Sequence, residues 1–278
     1  MKISVASGKG GTGKTTVALN MAISIEEQVN LLDVDVEEPN CHIFLPGSKF
    51  NSENVYSYIP EVDLNKCSYC GKCAEICRFN AIAVLSNNVM VFKELCHCCG
   101  GCAILCPEKA ISETKIQIGS IKTANIFNLN FYYGELKIGH PTAPPVIKAV
   151  KKYIEPEKIN IIDCPPGTSC AAVESIKGSD FCIMVSDPTP FGIHDLKLSV
   201  KVLQQLNVPF GVVINKCDTG TDELYKYCSS HNITILMEIK DERRIAEIYS
   251  QGKLIVNELP EYKNQFNNLF NTVKELIK

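Results

Sequence analysis

The chain has 278 residues, 45% apolar and 21% charged, enough apolar material for one large core or two modest ones and unlike a disordered or collagen-like composition. A formal net charge of −3 and a pI near 6.0 supply no overall basic field, so nucleic acid is not an expected partner. No run approaches the roughly 18 apolar residues of a membrane-spanning helix, and Met1 leads through "KISVA" into glycines without an export leader, so a soluble cytoplasmic protein is expected.

Residues 2–6 read as a short strand, "SGKGGTGKTT" as a glycine loop, and the stretch carrying Val17, Leu19, Met21, Ile23 and Ile25 as a helix. Gly8-x4-Gly13-Lys14-Thr15 is a phosphate-loop pattern in the strand–loop–helix context it requires. Backbone N–H groups over Gly8, Gly10, Gly11, Thr12, Gly13 and Thr16 would close around phosphate oxygens. Lys14 would reach the β and γ phosphates, and the Thr15 hydroxyl would ligate Mg2+. An additional lysine, Lys9, makes the loop resemble the deviant Walker A motif of the MinD, ParA, Mrp and nitrogenase iron protein superfamily. That resemblance implies a homodimer formed on ATP binding, with Lys9 reaching the partner's phosphates.

"NLLDVDVEEPN" is similar to the superfamily's switch I, which implies Asp35 orienting the attacking water and Asp33 supporting Mg2+. Two segments related by 29 residues follow, "CSYCGKCAEICRFNAIAV" from Cys67 and "CHCCGGCAILCPEKAISE" from Cys96. Both contain C-x2-C-x2-C-x3-C, the run of a bacterial two-cluster ferredoxin, whose soft thiolates hold iron. Zinc prefers two pairs separated by a longer gap. The ferredoxin resemblance implies crossed ligation of two [4Fe-4S] clusters, one on Cys67, Cys70, Cys73 and Cys106, the other on Cys96, Cys99, Cys102 and Cys77. Cys98 and His97 align with Tyr69 and Ser68 and are not expected to be ligands. Arg78 stands where Pro107 follows the second run.

Strands are expected at 159–163, 181–185, 210–214 and 233–236, alternating with helices at 144–154, 191–206, 221–230 and 241–251. That alternation predicts an α/β fold with a doubly wound, mostly parallel sheet and ligands beyond the strand carboxyl ends. "INIIDCPPGTS" resembles Walker B with switch II, which implies Asp163 holding hydrated Mg2+ and Gly167 sensing the γ-phosphate. Asn215, ending "GVVIN", is similar to the residue that reads adenine in MinD-like enzymes. Cys41, Cys182, Cys217 and Cys228 read as small buried hydrophobes. Cys170 resembles in position the cluster cysteine of the nitrogenase iron protein, but lacks the second cysteine that arrangement needs. Thr189, His194 and Asp195 are expected near a helix start, at a dimer interface or as a cap. The amphipathic C-terminal stretch with Tyr262, Phe266 and Phe270 reads as a last domain helix, with no stable membrane anchor.

Residues 1–59 and 114–278 thus resemble a MinD/ParA-like ATPase domain, and 60–113 an inserted small α+β ferredoxin. The combination implies an ATPase whose nucleotide-dependent dimer couples to electron transfer between unidentified redox partner proteins. Alternatives are an Mrp-like iron–sulfur carrier, or a MinD-like positioning ATPase with a redox-sensing or docking module.

Overall fold

In the computed structural model, which describes residues 1–47, 49–126 and 128–277, the first pentapeptide forms β1 (Lys2–Ala6) and the glycine loop runs into α1 (Lys14–Ser24). Next come β2 (Val29–Asp33), a 3-10 turn over Cys41–Phe44, and β3 (Asn51–Val62). The cysteine segment holds α2 (Lys72–Ile76), β4 (Ile82–Val84), β5 (Val89–Val91) and α3 (Gly101–Ile104). The chain returns through β6 (Ile111–Ile126) and β7 (Leu129–Leu136). It then alternates through α4 (Pro144–Lys151), β8 (Ile159–Asp163), α5 (Cys170–Ile176), β9 (Phe181–Ser186), α6 (Pro190–Leu206), β10 (Phe210–Asn215) and α7 (Glu223–Ser230). It ends in β11 (Ile235–Ile239), α8 (Arg243–Ser250), α9 (Ile255–Glu258) and α10 (Pro260–Leu276).

Among the described residues one sheet has the order β11-β10-β9-β1-β8-β2-β7-β6-β3, parallel from β11 to β7 and antiparallel at β6 and β3. Its inner strands are continuous apolar runs because helices cover both faces. Leu19, Met21, Phe131 and Phe266 fill one face, and Val146, Ile147, Leu196 and Leu203 the other. The α/β, mostly parallel architecture expected from the alternation is therefore present. The last strand lies at Ile235–Ile239 rather than 233–236.

Polar residues at the amino ends of the strands fix the register. Asn130 Nδ2 donates to Asn30 Oδ1 at 2.8 Å and Asn30 Nδ2 to Asn160 Oδ1 at 3.1 Å, across β7, β2 and β8. Burying these amides is tolerable only with such pairing. The register that joins Asn30 to Asn160 also sets Asp33 beside Asp163, at the carboxyl ends of β2 and β8 and next to the loop that follows β1.

The long strands β3, β6 and β7 were not among the expected elements. Their mixed sequences, such as "NSENVYSYIPEV", suit edge and antiparallel strands with a solvated face better than buried parallel ones. Pro60 pairs with Glu113, so the expected module limits fall on one rung of a continuous β3–β6 ladder. The far limit of the chain, Lys278, lies outside the described residues. Helix α10 buries Tyr262, Phe266, Leu269, Phe270 and Val273 in the core, and among the described residues no helix is long and apolar enough to cross a membrane.

Candidate functional site

Four strand ends and the glycine loop converge on one cleft. Gly13 caps α1 with φ 95°, and a Cβ there would lie 2.5 Å from Asn215 Nδ2, so a larger residue would meet both the backbone restriction and the Asn215 amide. That amide donates to the Thr12 carbonyl at 2.8 Å, tying β10 to the loop. A cavity of about 320 Å3 opens beside it, lined on one side by Gly11, Gly13, Lys14, Thr15, Thr16 and Asn215 and on the other by Ile239, Ile245 and Tyr249. Gly167 donates its N–H to the Ser7 carbonyl at 2.8 Å, bringing the segment after β8 against the loop.

Charge is concentrated at the buried end of this cleft. Lys14 Nζ is 3.0 Å from Asp35 Oδ2, and the Thr15 hydroxyl donates to Asp163 Oδ2 at 2.7 Å. Asp33 accepts from the amides of Asp35 at 3.1 Å and of Asn40 and Cys41 at 3.0 Å each. Burial, with the charge of Asp163 next, raises the Asp33 carboxyl to about 7; burial also raises Asp35 and Asp163. For Lys14 burial works against the charge, but Asp163 and Asp35 outweigh it and hold the ammonium protonated. Asp163 Oδ1 is buried without a hydrogen-bond partner. An orphaned carboxylate oxygen beside the Thr15 hydroxyl fits a hydrated divalent cation, which would favour the ionised acids. An arriving phosphate would compete for Lys14 and release Asp35, linking occupancy to the position of the β2 loop.

The cysteine runs form two cavities. One is lined by Cys67, Cys70, Cys73 and Cys106, with Tyr69, Pro107 and Ile111; the other by Cys77, Cys96, Cys99 and Cys102, with Pro60, Phe79 and His97. Each gathers three thiols from one run and the fourth from the other. The repeat extends to the backbone: φ is 54° at Tyr69 and 55° at Cys98, 79° at Gly71 and 72° at Gly100, 51° at Asn80 and 49° at Lys109. Amides of Tyr69, Ala81 and Ala110 donate to the sulfurs of Cys67, Cys77 and Cys106 at 3.4, 3.2 and 3.3 Å. Burial, then the neighbouring thiolates' charge, raises the thiols of Cys73 and Cys96, and Cys102 to about 11. Four converging thiols, with amides aimed at sulfur, fit a cationic iron–sulfur group. Cys98 points its sulfur at the Cys96 carbonyl, 3.7 Å away, and is not in either lining. His97 lines the second cavity and stacks on Phe79, with ring centroids 3.5 Å apart.

The CobQ/CobB/MinD/ParA nucleotide-binding domain matches residues 3–255. The chain belongs to this family. An uncharacterized protein of Methanocaldococcus jannaschii is 32% identical to this family member over 100% of the chain and 98% of its own length. An iron–sulfur cluster carrier protein of Pyrococcus furiosus is 28% identical over 77% of the chain and 60% of its own length. In fold, this CobQ/CobB/MinD/ParA protein is similar to the septum site-determining protein MinD of Pyrococcus horikoshii, solved with Mg-ADP, at a TM-score of 0.62 and 20% identity, covering 99% and 96% of the two chains.

In this nucleotide-binding family member the glycine loop also meets the segment after β9. Lys9 is held within its own chain, its Nζ 3.0 Å from Asp187 Oδ2 and 3.2 Å from Thr189 Oγ1. Sequence reasoning missed Asp187, although it follows a buried apolar strand much as Asp163 ends one. Burial opposes the Asp187 charge, but hydrogen bonds from Thr189 and Lys9 prevail and hold its carboxyl below the usual range. Thr189 caps α6, accepting from the Gly192 amide at 3.1 Å; Asp195 lies beyond the first turn and its carboxylate is 3.1 Å from His194 Nδ1. Cys170 begins α5 and is exposed. Cys41 is buried as expected, but it packs on the acids: its sulfur is 3.4 Å from Asp163 Oδ2.

Proposed function

We propose that this protein is an ATP-hydrolysing iron–sulfur protein in which nucleotide-dependent dimerisation gates electron transfer through the cysteine module. The observation that carries the reading is the sorting of eight cysteines into two cavities of four, each drawing its fourth thiol from the opposite run. When bound, two [4Fe-4S] clusters supply one-electron transfer. The chain's own residues hold them through Cys67, Cys70, Cys73 and Cys106 and through Cys96, Cys99, Cys102 and Cys77, while amide donors lower the negative charge at sulfur. At the other end, Lys14, Thr15, Asp33 and Asp163 bind Mg-ATP, Asp35 orients water once Lys14 leaves it, and Asn215 borders the base. Lys9 leaves Asp187 to reach a second copy's phosphates. β3 and β6 join the module to the sheet edge beside β7 and β2, so movement of the β2 loop has a direct mechanical route to the cysteines.

The test is anaerobic. Midpoint potentials and acceptor reduction are measured by EPR-monitored titration with and without a non-hydrolysable ATP analogue, and turnover is compared with the centres oxidised and reduced. Two one-electron centres per chain are expected, with at least one shifted by nucleotide on the order of 60 mV, a tenfold change for one electron. Potentials and acceptor reduction indifferent to the analogue would overturn the coupling.

The names of the carrier relatives favour a second reading, cluster delivery. Against it, no C-x2-C pair occurs after Cys106. Rapid transfer of iron and sulfide to an apo-protein, with loss of the donor's centres, would decide for delivery.

A further inference from the structure

The buried end of the nucleotide cleft contains a group that magnesium does not need. Cys41 is fully buried, its sulfur 3.4 Å from Asp163 Oδ2, and its amide donates to Asp33 Oδ2 at 3.0 Å. One ligand atom each from Asp33, Cys41 and Asp163 lies within 4.8 Å of the others, and all three residues are buried. Independently, Asp163 Oδ1 is buried and unpartnered, a strong acceptor with nothing to accept from. Mg2+ takes hard oxygen ligands and retains water, whereas a thiolate suits softer ions and raises affinity for them along the Irving–Williams series.

We propose that Asp33, Cys41 and Asp163 form a site for a thiophilic divalent cation of the ferrous or zinc class, overlapping the position from which Mg2+ serves the nucleotide. On binding, the Cys41 S–H bond breaks, a sulfur–metal bond forms and the proton leaves to solvent, with no change of oxidation state. The same Asp163 carboxylate cannot then pair with Thr15 around Mg2+, so a softer ion holds the ATPase off. The inference rests on reading Asp33 and Asp163 as the metal end of the nucleotide site, and is independent of the cysteine module.

The probe is Co2+, added anaerobically to nucleotide-free protein with its iron complement intact. Expected are one Co2+ per chain with a thiolate-to-cobalt charge-transfer band, release of a proton, and displacement by excess Mg-ATP. Cys41→Ser should lose the band and bind Co2+ about tenfold to a hundredfold more weakly, with iron content unchanged. Asp33→Asn should weaken binding while keeping the band, and serves alone if the serine variant does not fold. A band of equal strength in Cys41→Ser, unchanged affinity in Asp33→Asn, or Co2+ that Mg-ATP does not displace overturns the proposal. Wild-type protein that binds no Mg-ATP would instead overturn the nucleotide-site reading beneath it.

Discussion

Around Asp163 the side chains are positioned by strands buried on both faces, and sheet register sets Asp33 beside Asp163. Between Cys67 and Cys106, by contrast, no residue of α2 or α3 is buried, and a small apolar cluster joins Ala81 and Cys96, with partly buried Cys77 and Cys98, to Ile59 of β3 and Ile116 of β6. The nucleotide end is thus preorganised by hydrophobic burial, which exists without a ligand. The cysteine end has two turns of helix, a small hairpin and thiols that oppose one another, so metal would supply much of its cohesion.

The sharpest way to separate the two ends is Lys14→Ala. It should lower ATP hydrolysis by about 10²- to 10³-fold, as removal of a fixed phosphate-stabilising charge does, while iron content and redox spectra stay as in the wild type. Parallel loss of iron would break the comparison by showing that the module needs the nucleotide end to fold. The converse experiment strips iron with a chelator and follows limited proteolysis. Cleavage within 63–110 should rise on the order of tenfold while the remaining chain keeps its protection, because local opening is governed by local contacts. Equal protection before and after removal would show that the module's fold does not depend on metal.

A smaller effect is expected at the Lys9 latch. Asp187→Asn should free Lys9 and strengthen ATP-dependent dimerisation a few-fold, as sedimentation with an ATP analogue would show. Its pH sign follows from the lowered carboxyl. The ion pair's contribution to stability is fully present above the ordinary Asp value of 3.8 and is lost as pH falls below it through the lower folded value. The difference in Tm between wild type and variant should close over that acidic window and stay constant at neutral pH. Least of all should Cys98→Ala matter: its sulfur faces the Cys96 carbonyl, so iron per chain, measured by colorimetric assay, should not change.

Local patterns made a large part of the molecule legible. A phosphate loop is contiguous, since consecutive backbone N–H groups must surround one anion, and buried parallel strands are contiguous apolar runs. The cysteine repeat is equally local, and its 29-residue offset reappears in the backbone at Tyr69 and Cys98, Gly71 and Gly100, Asn80 and Lys109. Mixed strands such as β3 and β6 were illegible because their stability comes from pairing with each other across a long stretch of sequence, and that partner is not written in their own residues.

The sequence by itself determined the loop, the acid-tipped strands, the repeat and the family they resemble, because each rests on interactions among near neighbours in the chain. Only the tertiary structure decided that Lys9 rests on Asp187, that Lys14 holds Asp35, that Cys41 packs against Asp163 and that Pro60 and Glu113 share a rung. Those contacts join residues far apart in sequence, and which of many chemically suitable partners meets which is fixed by strand order and register.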